Sequence, residues 1–380
     1  MCLVKKGVHS NMNKIFKVVW SKTKECYVVV SEVAKNNGGK KKALASVLAG
    51  LAMVGAGAMG TPVQANVDLG NSAVNISPNG TYNGSNSVGV NSVVVGYQNS
   101  TDNNDGTLAY GANNHVKGNS AFAIGNNNKA DGGNAYSMGN TSEAKGTATL
   151  AFGNQAKALA DYGVAIGSGA QATANNAVAV GRVNKATNAS AVALGVNNKA
   201  EGQDSTAVGS TNTVTGDQSS AFGRENVIQG ASVAGATAVG YKNKASGDRA
   251  IAIGEGNKSQ KEDTITMGKS NTASVGGGIA IGQDNVANSG GSAGNTMIAI
   301  GRQNEATAQD TIAIGREAKA KNDLSVAIGN RTEATANAAI AIGTNGAPDA
   351  NGNAYKTTAS GFAAVAIGMQ SNSSGTASTA

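Results

Sequence analysis

A short apolar run closed by glycine recurs through most of this chain. Its closing residues are Gly96, Gly111, Gly125, Gly139, Gly153, Gly167, Gly181, Gly195, Gly209, Gly223, Gly240, Gly254, Gly268, Gly282, Gly301, Gly315, Gly329, Gly343 and Gly368. Fourteen of the eighteen intervals are 14 residues, one is 15, and longer ones of 17, 19 and 25 follow Gly223, Gly282 and Gly343. A fixed short period specifies a solenoid, in which each unit buries its apolar surface only against its neighbours.

Within a unit such as 191–202, Val192 and Leu194 share one strand face while Ala191 and Ala193 share the other. Asn commonly stands three residues past the glycine, as at Asn114, Asn184 and Asn226, where a left-handed corner is expected. Small or apolar residues five past it, such as Ala130, Ala200 and Val214, mark a second, thinner strand, and Gly118, Gly132 and Gly202 mark a second corner. Stacked about 4.8 Å apart, nineteen coils span roughly 90 Å. The expected repeat core comprises Val164, Ile166, Val178, Val180, Val192, Leu194, Ile251, Ile253, Ile279, Ile281, Ile312, Ile314, Val326, Ile328, Ile340 and Ile342. Ile314 and Ile328 are placed inward, where a charge has no partner. One apolar strand face is still left over, and a stripe of that length calls for association with further copies.

Charge divides the chain. Residues 1–65 hold ten lysines against Glu25 and Glu32, a net +8, while the remainder carries 20 basic and 21 acidic residues, a net −1. The basic balance therefore belongs to a leader, and the body has no nucleic-acid footprint. Lys40-Lys41-Lys42, the apolar run 43–60 and Val63-Gln64-Ala65 read as a secretory signal cleaved between Ala65 and Asn66. Both cysteines, Cys2 and Cys26, precede that cut, so stability after export is expected from stacking and backbone ladders rather than disulfides.

The order Met12-Asn13-Lys14-Ile15-Phe16-Lys17-Val18-Val19-Trp20-Ser21, continuing through Glu25 to Glu32, resembles the extended signal peptide region of large autotransporters and two-partner secretion proteins. It implies Met12 as the true start. The repeats, among them Asn91-Ser92-Val93-Val94-Val95-Gly96, Asn119 to Gly125 and Ser325-Val326-Ala327-Ile328-Gly329, resemble the head of YadA-like trimeric autotransporter adhesins. That resemblance implies a left-handed parallel β-roll assembled as a homotrimer, exported to the bacterial cell surface and outer membrane. It also implies adhesion to a host extracellular matrix protein, a glycan or a cell, or autoaggregation. The expected organisation is a leader at 1–65, an Asn/Gly/Ser-rich entry at 66–92, the repeat solenoid at 93–370 and a polar tail at 371–380. The family's stalk and membrane anchor are not visible, so the expectation is a piece of a longer adhesin, anchored only through a missing C-terminal region.

Chemistry finds little material. His115 is the one histidine past the leader and reads as a turn residue; no catalytic, cofactor or metal residues are assigned. Gly268-Lys269-Ser270 fails as a phosphate loop because Asp263 stands where the first glycine is required. The insertion 344–361 supplies a candidate receptor-contact loop with Asn345, Asp349, Tyr355 and Lys356. Lysines near the corners, including Lys129, Lys145, Lys157, Lys185, Lys199, Lys242, Lys244, Lys319 and Lys321, suggest a basic stripe or a merely solvated face. A non-binding spacer is the alternative, with a carbohydrate-active β-solenoid enzyme a more distant one.

Overall fold

The computed structural model describes residues 90–102, 104–230, 232–288, 296–345 and 356–380, together with the backbone of the strands Phe16–Ser21, Cys26–Ser31 and Val74–Ile76. Contacts divide the chain into Met1–Val63 and Gln64–Ala380. In the first unit Phe16–Ser21 pairs antiparallel with Cys26–Ser31. The expected cleavage residues Ala65 and Asn66 lie outside the described residues.

The second unit is a parallel β-solenoid, all β among its described residues. Each regular coil has one long strand, such as Val192–Val196, and one two-residue strand, such as Lys199–Ala200. Long strands pair only with long strands one coil away and short with short, so two parallel sheets run the length of the unit. Register never slips: Gly181 pairs Gly195, and Gly195 pairs Gly209. It also survives the three long intervals, where Ser220 pairs Thr237, Ile279 pairs Ile298 and Ile340 pairs Val365. Strand register on either side of each longer interval is therefore the same as in the regular coils.

The sheet reaches past the expected repeat limits at both ends. Val74–Ile76, within the segment read as an entry, pairs parallel with Val93–Val95. Asn372–Ser373 forms a short strand and Thr379 bridges to Val365 in the segment read as a tail.

Alanines, with some Ser and Thr, fill the space between the two strands of a coil, because fourteen residues bent around two corners leave a narrow lumen. Ala191, Ala193 and Ala200 are fully buried and recur as Ala177, Ala179 and Ala186 one coil earlier. Val116, Val214 and Ile228 are the larger side chains admitted on the short-strand side. This corrects the inward placement of Ile314 and Ile328: Ala313 and Ala327 take the interior, and the isoleucines beside them point the other way, half-buried. Val164, Ile166, Val178, Val180, Val192, Leu194, Ile251, Ile253, Ile279, Ile281, Ile312, Val326, Ile340 and Ile342 share that outer face and are likewise half-buried in a single chain. Strand alternation made both faces apolar; the lumen's width decides which one is inside.

The glycine column is dictated by contact between coils. Gly195 has φ +115°, and a Cβ there would lie 2.0 Å from the carbonyl oxygen of Gly209. At the second corner Gly118 has no such φ, yet a Cβ would lie 1.7 Å from the Gly132 oxygen. The first corner thus depends on glycine for both conformation and close approach, whereas the second uses it only in some coils, Ala160, Ala174 and Asn188 taking the same place in others. Gly195→Ala is expected to lower the thermal midpoint more than Ala189→Gly at an outer corner of the neighbouring coil, as followed by far-ultraviolet dichroism. Equal midpoints would remove the close-approach account.

Candidate functional site

Three surfaces are built by this stacking: a buried polar ladder at one corner, the outer face of the long strands and the outer face of the short strands. The ladder begins with the asparagine three residues past the glycine. The left-handed residue of that corner is the one before it, as at Asn113, Asn127, Val183 and Asn197, with φ between 54° and 58°. The asparagines themselves, expected to make the turn, are buried. Asn226 Oδ1 accepts from the backbone N–H of Asn243 at 3.0 Å and from its Nδ2 at 3.1 Å. Asn226 Nδ2 lies 3.1 Å from Asn212 Oδ1, 3.0 Å from the Phe222 carbonyl and 2.8 Å from the Gly240 carbonyl. Each amide therefore joins its own coil to both neighbours. The linkage runs unbroken from Asn184 to Asn304 and, separately, from Asn99 to Asn128. A polar residue repeated at a fixed offset was the available signal, and the offset itself, one past the turn, was what needed reading.

The outer face of the long strands carries two continuous columns. One runs through Ile279, Ile298, Ile312, Val326 and Ile340, the other through Ile281, Ile300, Ile314, Ile328 and Ile342. Toward the other end they become more aromatic, with Phe122 and Tyr136 in edge contact at 5.1 Å and Tyr110 and Phe152 about half exposed. Thr206, Ser220 and Thr237 interrupt one column in three successive coils. Tyr241, at the end of its strand, lies under Arg224 at 4.3 Å and Lys242 at 4.9 Å.

On the short-strand face, Lys129, Lys157, Lys185, Lys199, Lys244 and Lys319 fall in one register column. Lys145 and Lys321 stand two residues further along, and Lys242 lies at the corner. From Glu305 onward opposite charges alternate and neutralise one another around a shallow groove of about 600 Å³. Lys319 meets Glu305 at 3.4 Å, Arg331 meets Glu317 at 2.7 Å and Lys356 meets Glu333 at 2.6 Å. Of the candidate receptor loop, Lys356 thus pairs within the solenoid. Asn345 accepts from Asn330 Nδ2 at 2.7 Å, whereas Asp349 and Tyr355 lie outside the described residues.

His115 begins a short strand and contacts Asp102 at 2.9 Å, both side chains about one-third exposed. Partial burial pushes the Asp102 carboxyl up, but hydrogen bonds with His115 and Ser100 outweigh it and hold the group below the usual aspartate value. Gly268-Lys269-Ser270 spans a strand end and corner, and Lys269 faces Glu255 at 3.7 Å.

Comparison with known families finds two matches. The Extended Signal Peptide of Type V secretion system matches residues 12–59. The YadA head domain repeat matches six overlapping windows from 130 to 226 and three more at 234–257, 298–318 and 320–345. No curated relative matches the chain.

The ladder makes a local prediction. Asn226→Ala leaves the Asn243 amide and the Gly240 carbonyl without their partner and should cost about 1–3 kcal/mol, read as a lowered melting midpoint. Asn226→Asp should cost more, since a carboxylate would face the Phe222 and Gly240 carbonyls and the Asn212 oxygen. An Asp variant more stable than the Ala variant would contradict the ladder's polarity.

Proposed function

We propose, from the premise that this chain belongs to the YadA-like trimeric autotransporter adhesins, that its solenoid is a homotrimeric adhesin head. Export to the bacterial cell surface follows from the same membership. The family class is non-enzymatic, and in our reading this chain works by binding rather than turnover. Three chains side by side cover the long-strand faces and display the remaining surface in many weak copies, so avidity substitutes for a single tight pocket. The partner class is host extracellular matrix or another cell, with autoaggregation as the same chemistry between bacteria.

The observation that carries this reading is the pair of aliphatic columns. The coil interior is already filled by alanine and asparagine, so Val and Ile on the outer face have no intrachain role in closing the core. Their length along the solenoid exceeds what a monomer ordinarily leaves in water. Burying them against symmetric copies satisfies the hydrophobic effect without opening the coils.

Sedimentation equilibrium of residues 66–380, with adherence of coated particles to matrix and cell surfaces, tests the proposal. A trimer whose adherence falls when solvent-facing residues are changed supports it. A trimer whose adherence ignores every such change makes it a spacer, and a stable monomer overturns the assembly.

The corrected strand polarity separates two variants. Ile314→Asp should leave the coil folded and weaken the trimer, because an unpaired carboxylate would enter the interchain face in each copy at a cost of several kcal/mol. Ala313→Asp should unfold its coil in any assembly state, since it places the charge in the lumen. Sedimentation and dichroism on both variants check this, and trimers unchanged by Ile314→Asp would contradict it.

A further inference from the structure

We propose that the outer face of the short strands between Lys157 and Lys258 is a docking surface for a linear polyanionic polysaccharide lying along the solenoid. The inference rests on the adhesin reading and names a ligand class for it. Register places Lys157, Gln171, Lys185, Lys199, Thr213, Val227, Lys244 and Lys258 one above another. Seven steps of about 4.8 Å put the terminal lysines roughly 34 Å apart. Lys199, Lys244 and Lys258 are exposed, and Lys157 and Lys185 half-exposed.

What distinguishes this stretch is a run of unpaired lysines with no carboxylate between them in their column; Lys129 is also unpaired but is separated from the run by Glu143 in register. Lys157, Lys185, Lys199, Lys244 and Lys258 form no ion pair among the described residues. Elsewhere on the same face Lys145 pairs with Glu143, Lys319 with Glu305 and Lys356 with Glu333. The parallel column two residues further on reads Leu159, Thr173, Thr187, Glu201, Thr215, Gln229, Ser246 and Gln260, so Glu201 is the one carboxylate across both columns. A body of net −1 therefore gathers positive charge on one strip.

The shape of the strip selects the partner. One exposed ion pair contributes ~0–1 kcal/mol, so a point anion gains little, whereas a chain with anionic groups at regular intervals meets several lysines at once. Neither column holds an aromatic or arginine side chain on which a base would stack. Hydroxyls and amides between the lysines suit sugar hydroxyls, so a sulfated or carboxylated polysaccharide fits better than a nucleic acid. Three chains would offer three strips.

Heparin is the probe, titrated calorimetrically against residues 66–380, which lack the ten leader lysines, at increasing salt, with neutral dextran and a single-stranded oligonucleotide as comparators. Binding is expected to weaken steeply with salt as counterions are released. Replacing all five lysines by Gln should weaken it at least about tenfold, replacing them by Arg should preserve it, and Lys319→Gln with Lys356→Gln should leave it within about twofold. Dichroism and sedimentation on each variant confirm the same folded assembly. Unchanged affinity in the five-Gln variant, equal binding of dextran, or tighter binding of the oligonucleotide would each overturn the proposal. A trimer that adheres to matrix yet ignores heparin overturns this inference alone; a chain that neither assembles nor adheres overturns the adhesin reading beneath it.

Discussion

Successive coils of this chain approach so closely that, at one column, a methyl group would occupy the space of the next coil's carbonyl oxygen. A Cβ at Gly181, Gly195 or Gly209 would lie within 2.0 Å of the following glycine oxygen. Everything else follows from that distance. A stack this tight brings every backbone group of the long strands within reach of its neighbour, so parallel pairing continues for coil after coil without a core of any thickness. It also keeps the lumen narrow enough that alanine fills it, which turns the larger aliphatic residues outward.

The asparagine ladder and the glycine column act on the same corner. Each Asn Nδ2 contacts the carbonyl just before its own glycine and the carbonyl of the next coil's glycine, as Asn198 does with Leu194 at 2.8 Å and Gly209 at 2.8 Å. Holding the peptide that precedes the glycine constrains rotation about its N–Cα bond. From Gly181 to Gly282, where every corner has its asparagine, φ stays between 113° and 119°. Where Ser142, Ala156, Ala318, Thr332 or Thr357 replaces it, Gly139, Gly153, Gly315, Gly329 and Gly343 open to between 130° and 159°. Two glycines keep a narrow φ without asparagine: Gly167, at 120°, in a corner whose left-handed position is Gly169, and Gly368, at 118°, where Ser371 Oγ donates to the Ile367 carbonyl at 2.8 Å as the amides do elsewhere. The buried amides therefore do more than satisfy themselves: they set the corner geometry that the glycine merely permits.

Period, strand pairing and the existence of two apolar faces were legible in the residues, because alternation and a 14-residue repeat are properties of sequence. The polarity of the strand was not. Ala193 and Leu194 differ by one position, and nothing in alternation says whether the larger or smaller set points inward; that depends on coil width, set by glycine contacts between residues 14 apart. The same holds for Asn226, which composition makes a turn former and stacking makes a buried amide clamp. Lys356 shows the limit from the other side. It stands in an insertion that reads as a free loop, yet register brings Glu333 beside it across 23 residues.

Two sheets of one coil thus serve different ends. The long strands need five residues to carry two columns that stay mainly apolar, interrupted in one of them by Thr206, Ser220 and Thr237. The short strands contribute one outward residue each, so that residue varies between Lys, Glu, Gln, Thr and Val without affecting closure. Freedom to vary is greatest where backbone pairing alone maintains the coil. The charge patterns on that face, paired alternation from Glu305 onward and the unpaired lysines between Lys157 and Lys258, are therefore not required by the pairing that folds the coil.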